Sequence, residues 1–148
     1  MTRDRLACVL AHQHLLAAVS RRNADAVRQT LLQTDPKRYN SLALCRAAAM
    51  GYSDLVALLI HVSDPKAKDS QALCRAAQGG HVECVRLLVP VSDPKAQFSK
   101  ALANAVLHGH HDVADLLWSV SAPHKALIRL QQDHTHKKSQ WLCLAQRI

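Results

Sequence analysis

The chain has 148 residues, with 19 Lys+Arg against 11 Asp+Glu, 10 His and a formal net charge of +8; about 150 residues is the length of one domain. An apolar share of 49% argues against a disordered tail, and only five aromatics (Tyr39, Tyr52, Phe98, Trp118 and Trp141) leave little for stacking single-stranded bases. Gly51, Gly79, Gly80 and Gly109 build no glycine-rich phosphate loop, so a nucleotide-binding enzyme of the usual kinds is disfavoured.

The first predicted helix is Arg5–Val19. Arg3 and Arg5 precede an apolar stretch broken by His12, Gln13 and His14, a poor signal peptide but a good amphipathic helix. Ala24–Leu32 is the second. The polar residues Arg21, Arg22, Arg28 and Gln29 fit an outward face, so residues 1–33 read as an N-terminal capping unit. From residue 34 the chain repeats every 29 residues: Thr34-Asp-Pro-Lys37, Ser63-Asp-Pro-Lys66 and Ser92-Asp-Pro-Lys95 are in register, as are Ala43-Leu-Cys-Arg-Ala-Ala48 and Ala72-Leu-Cys-Arg-Ala-Ala77. The units are 34–62, 63–91 and 92–120. Such internal periodicity is the mark of stacked architectures.

Each unit carries the same punctuation. Ser41, Ser70 and Ser99 precede an apolar-rich stretch, where a hydroxyl would cap the free N–H groups of a first helix. Small residues (Leu44, Cys45, Ala47 and Ala48, then Leu73, Cys74, Ala76 and Ala77) form its inner face, and Gly51, Gly80 or Gly109 ends it in a left-handed cap. Asp54, Glu83 and Asp112 open a second helix, where the helix dipole favours a carboxylate. Its expected apolar face is Val56, Leu59 and Ile60, then Val85, Leu88 and Val89, then Val113, Leu116 and Leu117. The Asp-Pro pairs at 35–36, 64–65 and 93–94 then turn the chain. One such unit cannot bury both of its apolar faces, so neighbours must stack. After Val120, Ser121 and Pro123 echo the loop, Ala126–Gln132 suggests an added helix, and Gln140-Trp-Leu-Cys143 echoes Gln71-Ala-Leu-Cys74 after an insertion. Residues 121–148 thus read as an irregular C-terminal cap.

The stretch Ala72-Leu-Cys-Arg-Ala-Ala-Gln-Gly-Gly-His-Val-Glu-Cys-Val-Arg-Leu-Leu-Val89 resembles the ankyrin repeat, most closely over Gly80–Val89. The resemblance implies an all-α, helix-turn-helix solenoid. Two departures modify it. The units are shorter than the usual ~33 residues, so projecting β-hairpin fingers are expected to be short or absent. The family's threonine position holds Leu42, Gln71 and Lys100 and its histidine position holds Cys45, Cys74 and Ala103, so its hydroxyl–imidazole bridge is missing and the serine caps are expected to replace it. A different helical-hairpin solenoid is the structural alternative.

Candidate chemistry competes with plainer readings. His108, His110 and His111, and separately His134 and His136, invite a metal, but His110 stands in the repeat position of His81, and zinc needs converging ligands at defined spacing. No metal and no cofactor are expected. Cys45 and Cys74 are repeat-equivalent with Ala103 next in register, which is unlike a catalytic centre; Cys8, Cys84 and Cys143 complete an odd set without paired spacing, read as reduced thiols of a cytosolic protein. No catalytic residue is assigned. Lys37, Lys66 and Lys95 form a column along the loops, each two residues from Asp35, Asp64 or Asp93, and read as a solvated edge.

The ankyrin resemblance places partner contacts on loop tips and on the exposed side of the first helices. Carried onto this sequence these are Tyr39, Leu42, Arg46 and Met50; Lys68, Gln71, Arg75 and Gln78; Phe98, Lys100, Asn104 and His108. The set holds four cations and no acid. The expectation is a monomeric, non-enzymatic protein–protein interaction module that binds an acidic protein surface through this face, as an adaptor, inhibitor or effector. Its setting would be the cytoplasm of the producing cell, or of a host cell if it is delivered. The alternative is sequence-independent nucleic-acid binding through the same face, driven by the charge. No apolar run approaches a membrane span.

Overall fold

A computed structural model describes residues 3–34 and 38–121, without the side chains of residues 3–5, 38–40, 69 and 96–99. Among the described residues the chain is all helical: α1 (Arg3–Ser20), α2 (Ala24–Leu31), α3 (Arg38–Ala49), α4 (Ser53–Ile60), α5 (Ala67–Gly79), α6 (Val82–Leu88), α7 (Ala96–Leu107) and α8 (His111–Trp118). Residues 122–148, including the expected helix Ala126–Gln132 and the C-terminal cap, lie outside the described residues.

The helices alternate between two layers. Odd-numbered helices pack on one another in chain order, α1 on α3, α3 on α5 and α5 on α7. Even-numbered helices form the second layer, α4 against α6 and α6 against α8. Small side chains permit close approach in the first layer, where Ala43, Leu44, Ala47 and Ala48 of α3 and Ala72, Leu73, Ala76 and Ala77 of α5 are buried. The second helices bury Leu55, Val56 and Leu59, then Cys84, Val85 and Leu88, then Val113, Ala114 and Leu117. Two of the three residues expected on each face are buried, and one in each helix is replaced. Ile60, Val89 and Leu116 are only partly covered, while Leu55, Cys84 and Ala114 take the interior places.

Left-handed residues end the first helices at equivalent places. Gly51, Gly80 and Gly109 have φ of 74°, 72° and 76°, and Arg22 holds the same register at 53°. The next residue bonds back over five positions each time, Asn23 to Ala18, Tyr52 to Ala47, His81 to Ala76 and His110 to Ala105, which satisfies carbonyls the helix end would leave bare.

The serines do something other than cap. α3 and α5 begin upstream of Ser41 and Ser70, and both serines are buried with φ of 56° and 61°. Ser41 Oγ accepts from the Asp64 N–H at 2.8 Å, and Ser70 Oγ from the Asp93 N–H at 2.7 Å. Ser92 and Ser121 return the tie by donating to the carbonyls of Pro65 and Pro94 at 3.4 and 3.3 Å. The described loops from Ser63 and Ser92 are therefore each bonded to a helix or loop of a neighbouring unit. The loop N–H of the following unit is part-buried and finds its acceptor in the serine, whereas the Asp64 and Asp93 side chains take the N–H groups of Lys66 and Lys95 with Oδ1. The side chain of Ser99 is outside the described set.

Candidate partner-binding face

The repeat register decides what each polar residue at the turns does. Asn23 caps its own helix, its Oδ1 accepting from the Ala26 N–H at 3.0 Å. In later units the equivalent residue reaches back to the preceding unit. His81 Nε2 lies 3.1 Å from the Ala49 carbonyl, and His110 Nε2 lies 3.0 Å from the Gln78 carbonyl. A carbonyl can only accept, so Nε2 carries the proton in both. A Cβ at Gly51 would come within 2.5 Å of His81 Nδ1, and one at Gly80 within 2.5 Å of His110 Nδ1. The glycine is thus required twice, by its backbone angle and by the ring that lies on it. At the first junction Arg22 replaces glycine and Tyr52 replaces histidine. The guanidinium lies 5.4 Å from the Tyr52 ring centroid and 3.3 Å from Asp54 Oδ2. Arg22 is therefore turned toward its neighbour rather than serving a purely outward face.

The 29-residue offset of His81 and His110 marks a shared repeat position, and the bond across the junction is the task of both. His108 stacks beside His110 with centroids 6.3 Å apart and donates from Nδ1 to the Asn104 carbonyl at 2.9 Å. Among the described residues no group of three or more His, Cys, Asp or Glu is placed to hold a metal ion; His134 and His136 lie outside them. A hollow of about 240 Å³ at the turns is lined by Gly80, Val82, Gly109, His110, His111, Asp112 and Val113.

Two buried thiols, Cys84 and Cys45, are held protonated. Burial pushes Cys84 up to about 11, helped by the carboxylates of Asp54 and Glu83. Burial also raises Cys45, against the opposing charges of Arg75 and Lys68. A thiol held in its protonated form is a weak nucleophile. Burial lowers His12.

The exposed side of the first helices differs from the turns. Among the described side chains these helices carry Arg46, Lys68, Arg75 and Lys100 and no carboxylate, while the second helices carry Asp25, Asp54, Glu83, Asp112 and Asp115. The ion pairs among the described residues are Arg22–Asp54 and Arg28–Asp25, so none of the four first-helix cations is paired there. A groove of about 270 Å³ between α5 and α7 gathers Gln71, Arg75, Gln78, Lys100 and Asn104, five of the residues expected from sequence, together with Cys74. Asn104 Nδ2 donates to the Cys74 carbonyl at 3.4 Å across this groove. Cys74 is buried, as expected of an inner-face residue of the first helix, and it also lines the groove floor, a place not expected for it from sequence.

The remaining expected residues lie elsewhere. Leu42 and Met50 are each 42% exposed, and Arg46 is exposed on α3. The charges of Arg75 and Lys68 both oppose the burial-driven rise of the Cys45 thiol on α3. His108 lies at the turn beside His110. The side chains of Tyr39 and Phe98 are outside the described set, as is Lys37 of the loop column. Lys66 and Lys95 are exposed. The chain matches no protein-family model and no curated protein.

Proposed function

We propose that the chain is an ankyrin-like helical solenoid acting as a non-enzymatic protein-binding module, with an acidic protein surface received by the exposed face of the first helices. The observation that carries this reading is that Arg46, Lys68, Arg75 and Lys100 share one layer and have no ion pair among the described residues. Carboxylates elsewhere have structural explanations: Asp54, Glu83 and Asp112 sit in the first turns of α4, α6 and α8, where the helix dipole favours them. Among the described residues no ion pair accounts for the four cations. Unpaired arginines beside amide and apolar side chains are the usual anchors of a protein interface. The helical pairs packed in chain order support the solenoid reading. No described helix is long and apolar enough to cross a membrane. A monomer in the cytoplasm, of the producing cell or of a host, completes the proposal.

The test is a fluorescence-anisotropy titration of labelled polyglutamate and of labelled oligothymidylate of equal charge, at low and physiological salt. Polyglutamate binding that persists at physiological salt, with the oligonucleotide released there, supports the reading. Nucleic acids release counterions steeply as salt rises, so an oligonucleotide that stays bound while polyglutamate does not would transfer the face to nucleic acid.

A further inference from the structure

The register of the cations narrows the partner. This inference rests on the acidic-partner reading above. Arg46 and Arg75 are repeat-equivalent on α3 and α5, two helices packed against each other. Lys100 follows on α7, one helical turn earlier in register, and lines the same groove as Arg75. Arg75 borders the groove toward α7, and its charge is near enough to the Cys45 thiol of α3 to oppose the rise that burial causes there. Packed helices lie ~8–10 Å apart, so Arg46 and Arg75 stand about 10 Å apart along the row, and Lys100 stands slightly farther from Arg75, offset by the ~5.4 Å rise of one turn.

The groove between them is lined by amides. Gln71, Gln78 and Asn104 each offer a donor and an acceptor, and Asn104 uses its Nδ2 on the Cys74 carbonyl, leaving Oδ1 to accept from a ligand N–H. Amides of this kind can pair with a main chain whose N–H and C=O groups are open. A helical ligand has closed those groups; an extended one has not. Among extended forms, polyproline II advances ~3.1 Å per residue with three residues per turn. Carboxylates at every third position then share one face and repeat about every 9 Å, close to the helix spacing. A β-conformation puts same-face residues at ~6.6 or ~13 Å, out of step with the row.

We propose that the first-helix face binds an extended acidic segment of another protein, in polyproline II form, with Asp or Glu at every third residue. Successive carboxylates meet Arg46, Arg75 and Lys100, and the amides between them hold the main chain.

Two fluorescein-labelled peptides of identical composition test this: a repeating Glu-Pro-Pro peptide and an isomer with its glutamates in one block. Charge attraction without register favours the block, whose charge is denser. Register reverses the order, and the triplet peptide should bind about tenfold tighter, the size of effect expected from aligning charge-assisted hydrogen bonds. Arg75→Gln should weaken the triplet peptide by about tenfold through loss of the shared anchor, while Arg86→Gln on α6 leaves it unchanged. If the block isomer binds as tightly or more tightly, the spacing inference is overturned and the acidic-partner reading stands. If neither peptide binds to protein with intact helical circular dichroism, both are overturned.

Discussion

The turn end of the molecule and the exposed face of its first helices use polar residues in opposite ways. At the turns, His81, His110, Arg22 and Asp54 each have a partner in an adjacent unit. On the first-helix face Arg46, Arg75 and Lys100 have no ion-pair partner among the described residues. The contrast separates groups that hold the repeats together from groups left available to a ligand. Within the turn end the junctions also differ: glycine beneath histidine recurs twice, while Arg22 and Tyr52 make the first junction by a cation over a ring. One register position can therefore be filled by different chemistry, provided that residue and its neighbour change together.

The comparison can be broken most severely at Gly80. Gly80→Ala should lower stability by about 2–4 kcal/mol, combining the left-handed backbone penalty with displacement of His110. Urea unfolding would measure it. Adding His110→Ala should cost less than the sum of the two single changes, because the clash is then already gone. Arg22→Gly, in the same register, should change stability by less than about 1 kcal/mol, since backbone relief offsets an exposed ion pair and a cation–π contact. A loss at Arg22 as large as at Gly80 would erase the distinction between the junctions. Ser70→Ala leaves the Asp93 N–H without its acceptor and should lower the urea stability by about 1–2 kcal/mol. Binding of polyglutamate should survive it.

The smallest expected effect is the pH response of His12. Its pKa is lowered from 6.5 by burial, so the unfolded chain takes up the proton first as pH falls. Its contribution is complete above about 6.5 and declines as pH drops toward the folded value. The fall in urea midpoint between about pH 7.5 and 5.5 should be smaller in His12→Gln than in the native chain. An unchanged fall would assign it to other groups.

The helices were largely legible in the sequence because the 29-residue period repeats their punctuation. Glycine fixes where a first helix stops, and a carboxylate marks where the second begins. Less legible were contacts between units. Ser41 was read against its own helix because a hydroxyl before an apolar run can cap one, yet its partner is the N–H of Asp64, one unit onward. One residue of each second helix differs from the expected inner face, because Ile60, Val89 and Leu116 look at least as apolar as Leu55, Cys84 and Ala114, while packing ranks residues by direction. At the candidate site, the ankyrin resemblance points to Gln71, Arg75 and Lys100, and the inner-face pattern buries Cys74, but that α5 and α7 bring them together around one groove depends on the approach of α7.

The central claim is that the first-helix cations serve a ligand and not the fold. It is tested most directly by measuring polyglutamate affinity and the urea midpoint together for the native chain and for the triple variant Arg46→Glu, Arg75→Glu, Lys100→Glu. The account predicts that binding falls by at least about a hundredfold, as expected when several charge-assisted contacts become repulsive, with the midpoint nearly unchanged. Undiminished binding by a folded triple variant would contradict it.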